Sequence, residues 1–228
     1  MSRGVKRHER QDADHYPTPE WCTRRLMENA DLYDGGIWLE PAVGDGAIVR
    51  VMQEYHPNIT WHTSDIRPES LMHAGMVHTA THYTGDYLEL APCITEKYAG
   101  IITNPPFSLA MEFIQASLPI AYSVIALLRL GFLESENRNA WIRQNMPDYI
   151  YVLPNRQGGT SDGKTDVFTY GWFHWKPTWI DGKLQSVTAT TMIVLPTTPI
   201  EERKRDRAKL TAPRPSLPVY SEHTSNHV

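Results

Sequence analysis

The chain has 228 residues, 41% hydrophobic and 21% charged, a globular balance that excludes a wholly disordered, collagenous or coiled-coil protein. Lys and Arg number 22 against 26 Asp and Glu, a formal net charge of -4, so any nucleic-acid surface must be local. No run approaches the roughly 18 apolar residues that span a bilayer, and the polar start has no apolar signal core, so the chain reads as cytoplasmic with no membrane partner.

In chain order, residues 1–15 read as a polar tail, 16–196 as one domain and 197–228, rich in Thr, Pro, Ser and charge, as a second tail. The domain opens with Thr18-Pro19-Glu20, which predicts a helix to about residue 30 with Thr18 as N-cap and Pro19 at its first position. Strands are predicted over 36–40, 59–64, 81–85, 98–103, 124–129, 149–153, 168–174 and 188–195. Further helices are predicted after Gly46, Pro68, Leu109 and Glu134. This alternation predicts an α/β fold with a mostly parallel sheet, expected to have seven strands. The segment between 168–174 and 188–195 is too short for a helical crossover, so these last strands are expected to pair antiparallel. Cys22 and Cys93, the two cysteines, form neither a disulfide framework nor a zinc-like cluster, and no metal is expected.

The first predicted strand ends in Glu40-Pro41-Ala42-Val43-Gly44-Asp45-Gly46, an acidic residue followed by a glycine turn and a helix start. Gly44 and Gly46 can take positive φ and let a ligand lie against the backbone, at the strand end where open α/β sheets bind cofactors. The third glycine of a dinucleotide fold and the lysine of a phosphate loop are both missing. Glu40 suits an ammonium better than a pyrophosphate. The second strand leads to Asp65, able to accept from two ribose hydroxyls, and the third to Asp86, able to accept from an adenine amino group with Ile66 and Tyr87 packed around the ring. Three carboxylates at successive strand ends look like a pocket for S-adenosylmethionine.

The fourth strand stops at Asn104-Pro105-Pro106-Phe107. The prolines stiffen the corner. An amine conjugated to a purine ring is a weak nucleophile, and it needs acceptors that hold its hydrogens as the nitrogen becomes tetrahedral. The Asn104 side-chain oxygen and the Pro105 carbonyl are suited to that role, and Phe107 to stacking on a base drawn out of a duplex.

These motifs together resemble the S-adenosylmethionine-dependent N6-adenine DNA methyltransferases, particularly compact phage and prophage forms, over most of residues 16–195. The resemblance implies a Rossmann-like class I methyltransferase fold and methyl transfer to the adenine amine. It also implies that the block His15 to Glu20 helps bind the cofactor's methionine end, through Tyr16 and Thr18. Segments 126–135 and 165–175 are similar to parts of the phage-type enzymes. The loop after Leu153-Pro154 lacks the aromatic that family members carry there. Trp172 and Trp175 read as alternating faces of a sheet-edge strand.

No segment is left for a separate target-recognition domain. Recognition is therefore expected from loops 108–111, 134–143 and 154–166, with short or relaxed specificity, and Arg138, Arg143, Arg156 and Lys164 offer phosphate contacts. Arginines and lysines of the two ends are further candidates, although near Arg203 they mix with acidic residues as on a solvated helix. DNA is the expected partner. RNA adenine methylation shares the chemistry, protein glutamine methylation is more distant, and a catalytically silent module binding nucleic acid or S-adenosylmethionine is the reading from another class.

Overall fold

The structure is a computed structural model that describes residues 17–70, 78–155, 168–180, 183–185, 187 and 189–211. Strands β1 (Ile37–Glu40), β2 (Thr60–Asp65), β3 (Thr81–Thr84), β4 (Gly100–Thr103), β5 (Val124–Arg129), β6 (Tyr149–Leu153) and β7 (Tyr170–Trp175) are followed by a hairpin, β8 (Thr178–Ile180) with β9 (Lys183–Gln185), and by β10 (Thr191–Val194). Among the described residues the main sheet has eight strands in the order β10-β6-β7-β5-β4-β1-β2-β3. All neighbours pair parallel except β7, which runs antiparallel between β5 and β6. The strand order reverses between β1 and β4, and open α/β sheets form their ligand crevice at such a switch point.

The architecture is the mostly parallel, Rossmann-like α/β fold expected from the alternation, with two differences. The sheet has eight strands rather than seven, and the two last predicted strands are not neighbours. The β8–β9 hairpin uses up the connection between them, and β10 emerges beside β6, to which it is parallel. β10 does run opposite to β7, but β6 lies between. For the same reason β7 is not an edge strand: all six of its residues are buried, with Trp172 on one face and Trp175 on the other.

Helices α1 (Glu20–Met27), α2 (Ala47–Tyr55), α3 (Tyr87–Leu90), α4 (Ala110–Ser117), α5 (Glu136–Gln144) and α6 (Ile200–Thr211) complete the fold. Of the helix predicted after Pro68, only Ser70 lies within the described residues. Period-2 alternation divides the strands between two cores. Ile125 and Leu127 face a cluster with Trp21, Leu26 and Met52 of α1 and α2, while Val124, Ala126 and Leu128 face Phe113, Ile114 and Phe173. The close approach of β1 and β4 depends on a glycine. A Cβ at Gly100 would lie 2.5 Å from the ring of Trp38, which is wholly buried there.

The cap expected of helix α1 is overturned, and residues 200–211 of the expected C-terminal tail form α6. The N-cap of α1 is Pro19, not Thr18, and it makes no side-chain cap bond. The amide of Trp21 donates instead to Asp206 of α6 at 2.6 Å, across 185 residues. The region from 197 on was expected as a tail, yet α6 lies against α1, with Asp206 buried, Lys209 2.6 Å from Glu20 and Glu202 2.7 Å from Arg25. Three acidic and basic partners of α1 thus turn the mixed charge of this segment into a docking face. No helix among the described residues is long and apolar enough to cross a membrane.

Candidate functional site

At the carboxyl ends of β1, β2 and β4, the strand ends enclose a cavity of about 310 Å³. Its first wall is the loop after β1. Gly44 and Gly46 both take left-handed backbone (φ 55 and 77), which turns the chain sharply into α2. The loop is pinned to the end of β2: the Val43 amide donates to the Ser64 carbonyl at 3.0 Å, the Ser64 hydroxyl to the Pro41 carbonyl at 3.1 Å, and the Gly44 amide to Asp65 Oδ2 at 2.9 Å. Pro41 and Gly44 line the cavity as expected. Gly46 does not, because it serves as the first residue of the helix turn behind the wall.

Glu40 is also behind the wall rather than on it. It is 1% exposed and accepts the Ala42 amide at 3.1 Å. Burial pushes its carboxyl up to about 8, the Thr103 hydroxyl and Ala42 amide oppose that rise, and the charge of Asp65 adds to it. Asp65, by contrast, stands on the cavity wall and is held below the usual carboxylate range. Burial alone would raise it, but the Arg67 guanidinium, the Arg67 amide and the Gly44 amide together outweigh that effect. Ile66 and Arg67 line the cavity beside it, and Ile66 keeps 36% of its surface exposed.

Asp86, Tyr87 and Phe113 form the next wall. Asp86 caps α3, its Oδ1 accepting the Leu88 amide at 2.9 Å. Tyr87 is buried, its hydroxyl 2.9 Å from the Ser117 hydroxyl, and burial pushes its phenol well above the ordinary value.

The opposite wall is Asn104, Pro105, Pro106 and Phe107, facing Pro17 and Thr18. The Asn104 amide nitrogen donates to Thr18 Oγ1 at 3.0 Å. In this arrangement the carboxamide turns its nitrogen to Thr18, which leaves Oδ1 as its accepting end. Having lost the capping role, Thr18 orients the side chain at the centre of the motif.

Phe107 is held by groups the sequence reading did not single out. The Arg129 guanidinium lies over the Phe107 ring at 4.4 Å and over the Phe168 ring at 4.1 Å, and its Nε donates to the Tyr170 hydroxyl at 3.1 Å. Phe107 and Tyr170 are in contact at 5.7 Å between centroids. Arg129 ends an otherwise apolar strand, and a lone charge in that position was the available signal.

Of the predicted site residues, Thr18, Pro41, Gly44, Asp65, Ile66, Asp86, Tyr87 and Asn104 to Phe107 meet on this one cavity. Arg138 does not. Its Nε donates to the Phe132 carbonyl at 3.2 Å and its guanidinium covers the Phe132 ring at 4.8 Å, so it fastens α5 to the segment before it. Tyr16, Arg156 and Lys164 lie outside the described residues. No group of three side chains with metal-ligating chemistry occurs among the described residues.

No protein-family model matches the chain, and no curated protein matches it. Solved structures do match in fold. One is the M protein of the type I restriction enzyme EcoKI (TM-score 0.59, 15% identity, 77% of this chain and 47% of that one). Another is a candidate RNA methyltransferase of Pyrococcus horikoshii (TM-score 0.55, 13% identity, 71% and 85%). A third is the type I restriction-modification methyltransferase subunit of Streptococcus thermophilus (TM-score 0.53, 11% identity, 84% and 51%). The chain spans about half the length of the two restriction-system proteins. At such identities the likeness is one of fold, and the fold is the Rossmann-like fold of methyltransferases.

Proposed function

We propose that this chain transfers a methyl group from S-adenosylmethionine to the exocyclic amine of adenine in DNA, with short or relaxed sequence specificity. The observation that carries the reading is the Asn104-Pro105-Pro106-Phe107 corner, its Asn104 side chain held by Thr18, on the same cavity that Asp65 and Asp86 line. Two of the fold neighbours are methyltransferase proteins of DNA restriction systems, which favours DNA as the substrate.

The residues fit the cofactor. Asp65 is ionised at the end of β2, where a ribose would meet it, Ile66 offers an apolar face for the adenine ring, and the turned backbone at Gly44 admits close approach. When bound, S-adenosylmethionine supplies an electrophilic methyl on a sulfonium. The chain supplies alignment. Asn104 Oδ1 and the Pro105 carbonyl accept the two amine hydrogens of the target base, which turns the nitrogen lone pair out of conjugation and toward the methyl. As the nitrogen becomes positive, the same two oxygens hold its protons until one is lost. Phe107, backed by Arg129 and Tyr170, stacks on the base and keeps water from the reacting nitrogen. Aligning two reactants in this way is worth about 7–11 kcal/mol, enough to proceed without a strong general base.

The test is incubation of the protein with methyl-labelled S-adenosylmethionine and duplex DNA, single-stranded DNA, RNA or protein, followed by digestion and identification of the labelled product. N6-methyladenine in DNA is expected. Label in RNA alone, in protein alone or in nothing overturns the reading.

A further inference from the structure

Resting on the cofactor reading above, the geometry points to Arg67 as an internal competitor for the ribose site, which a nucleoside must displace with its vicinal diol in order to bind. The argument is a count of acceptor positions. A carboxylate offers about four, two on each oxygen. On Asp65, Oδ1 accepts the Arg67 amide at 2.9 Å and Arg67 Nε at 3.0 Å, while Oδ2 accepts the Gly44 amide at 2.9 Å and Arg67 Nη2 at 3.1 Å. All four are filled.

Two of these donors are backbone amides, which cannot leave without unfolding the loop. The other two belong to one side chain, which can. The guanidinium presents its two N–H groups as a fork to both oxygens of Asp65, as a ribose would present two hydroxyls. Arg67 itself lines the cavity. It also has somewhere to go, since Asp45 and Glu69 are near enough for their charges to favour the cation. Displacement therefore exchanges one charged partner for others.

Arg67 selects as well as competes. A ligand with two adjacent hydroxyls replaces both lost bonds on Asp65. A ligand with no diol replaces neither, and it leaves the guanidinium where it is. This makes Arg67 a specificity-determining residue for ribose.

The experiment is calorimetric titration of the full chain and its Arg67→Ala variant with S-adenosylhomocysteine, adenosine and 2′,3′-dideoxyadenosine. Removing the side chain leaves both amide contacts on Asp65 in place. S-adenosylhomocysteine and adenosine are expected to bind Arg67→Ala about threefold to tenfold more tightly, the size of a partly exposed ion pair no longer to be broken. Affinity for 2′,3′-dideoxyadenosine is expected to stay the same. The gain is expected to vanish when Asp65→Ala is added. Equal or weaker binding of S-adenosylhomocysteine by Arg67→Ala, with the unaltered chain still binding it, overturns the competitor role alone. If neither protein binds S-adenosylhomocysteine, the cofactor reading fails and the inference falls with it.

Discussion

Thr18 and Asn104 are separated by 86 residues and joined at 3.0 Å, and on that contact the proposed chemistry is built. Asn104→Ala is expected to abolish methyl transfer while the dissociation constant for S-adenosylhomocysteine barely moves. Thr18→Val, which keeps the shape and removes the acceptor, is expected to lower kcat about tenfold to a hundredfold through loss of alignment, with Thr18→Ser restoring most of it. Steady-state kinetics beside calorimetry separates the two effects. Glu40 makes a prediction of the opposite kind. Its carboxyl, pushed to about 8 by burial, stays protonated in the fold while the unfolded chain ionises near the ordinary value of 4.5. The contribution of Glu40 to stability is therefore full below about pH 4.5 and is lost progressively as pH rises to about 8. Glu40→Gln, neutral at every pH, is expected to raise Tm at pH 8 and leave it unchanged at pH 4.5. Much of the site was legible because strand ends concentrate function: Asp65, Asp86 and Asn104 stand at or just after the ends of β2, β3 and β4 and converge on one cavity. Arg67 was not legible as a competitor, since nothing in Asp65-Ile66-Arg67-Pro68 tells that the chain turns back and lays the guanidinium on the carboxylate.

The docking of α6 on α1 is the element that sequence pattern alone misreads. Glu201, Glu202, Lys204, Arg205 and Arg207 give the segment the composition of a solvated helix, with no apolar stripe to announce a partner. What holds it is polar: the buried Asp206 carboxylate at the start of α1, and Lys209 and Glu202 on charges of α1. Local cap propensity therefore lost to a tertiary contact, and Thr18, the residue with the better cap chemistry, was released to meet Asn104. Asp206→Ala is expected to destabilise the chain by about 1–3 kcal/mol, the cost of leaving a buried amide without its charged acceptor. Because α1 begins two residues after Thr18, the same variant is expected to lower kcat more than it weakens cofactor binding. Urea unfolding and kinetics on the one protein measure both. β7 shows a similar limit at the sheet. Its aromatic alternation was readable, but its place between β5 and β6 depends on pairings that no strand carries in its own residues.

At the scale of the whole molecule, the sheet buries a histidine in β7, on the same face as Trp172. His174 is 1% exposed, its Nε2 2.9 Å from the Ser123 hydroxyl and its ring beside Tyr149 and Tyr151. Burial, with a smaller contribution from the Lys176 charge, pushes its pKa down to about 3. The unfolded chain takes up a proton at this histidine near 6.5 and the folded one does not, so the contribution of His174 to stability is full above about pH 6.5 and falls as pH drops toward 3. In a Glu40→Gln background, which removes the opposing titration of that carboxyl, thermal melts across that range are expected to show Tm declining on the acid side, and a flat Tm from pH 6.5 to 4 would refute it. The contact between Asp206 and the start of α1 sets a further condition, in the order of manufacture. A ribosome makes α1 first and Asp206, its partner, 185 residues after Trp21, so the helix beside Thr18 waits for its fastening until the strands of the sheet have been made. A growing chain carries the Asn104 corner long before Asp206 exists, and the contact at the start of α1 can close only after synthesis has passed residue 206.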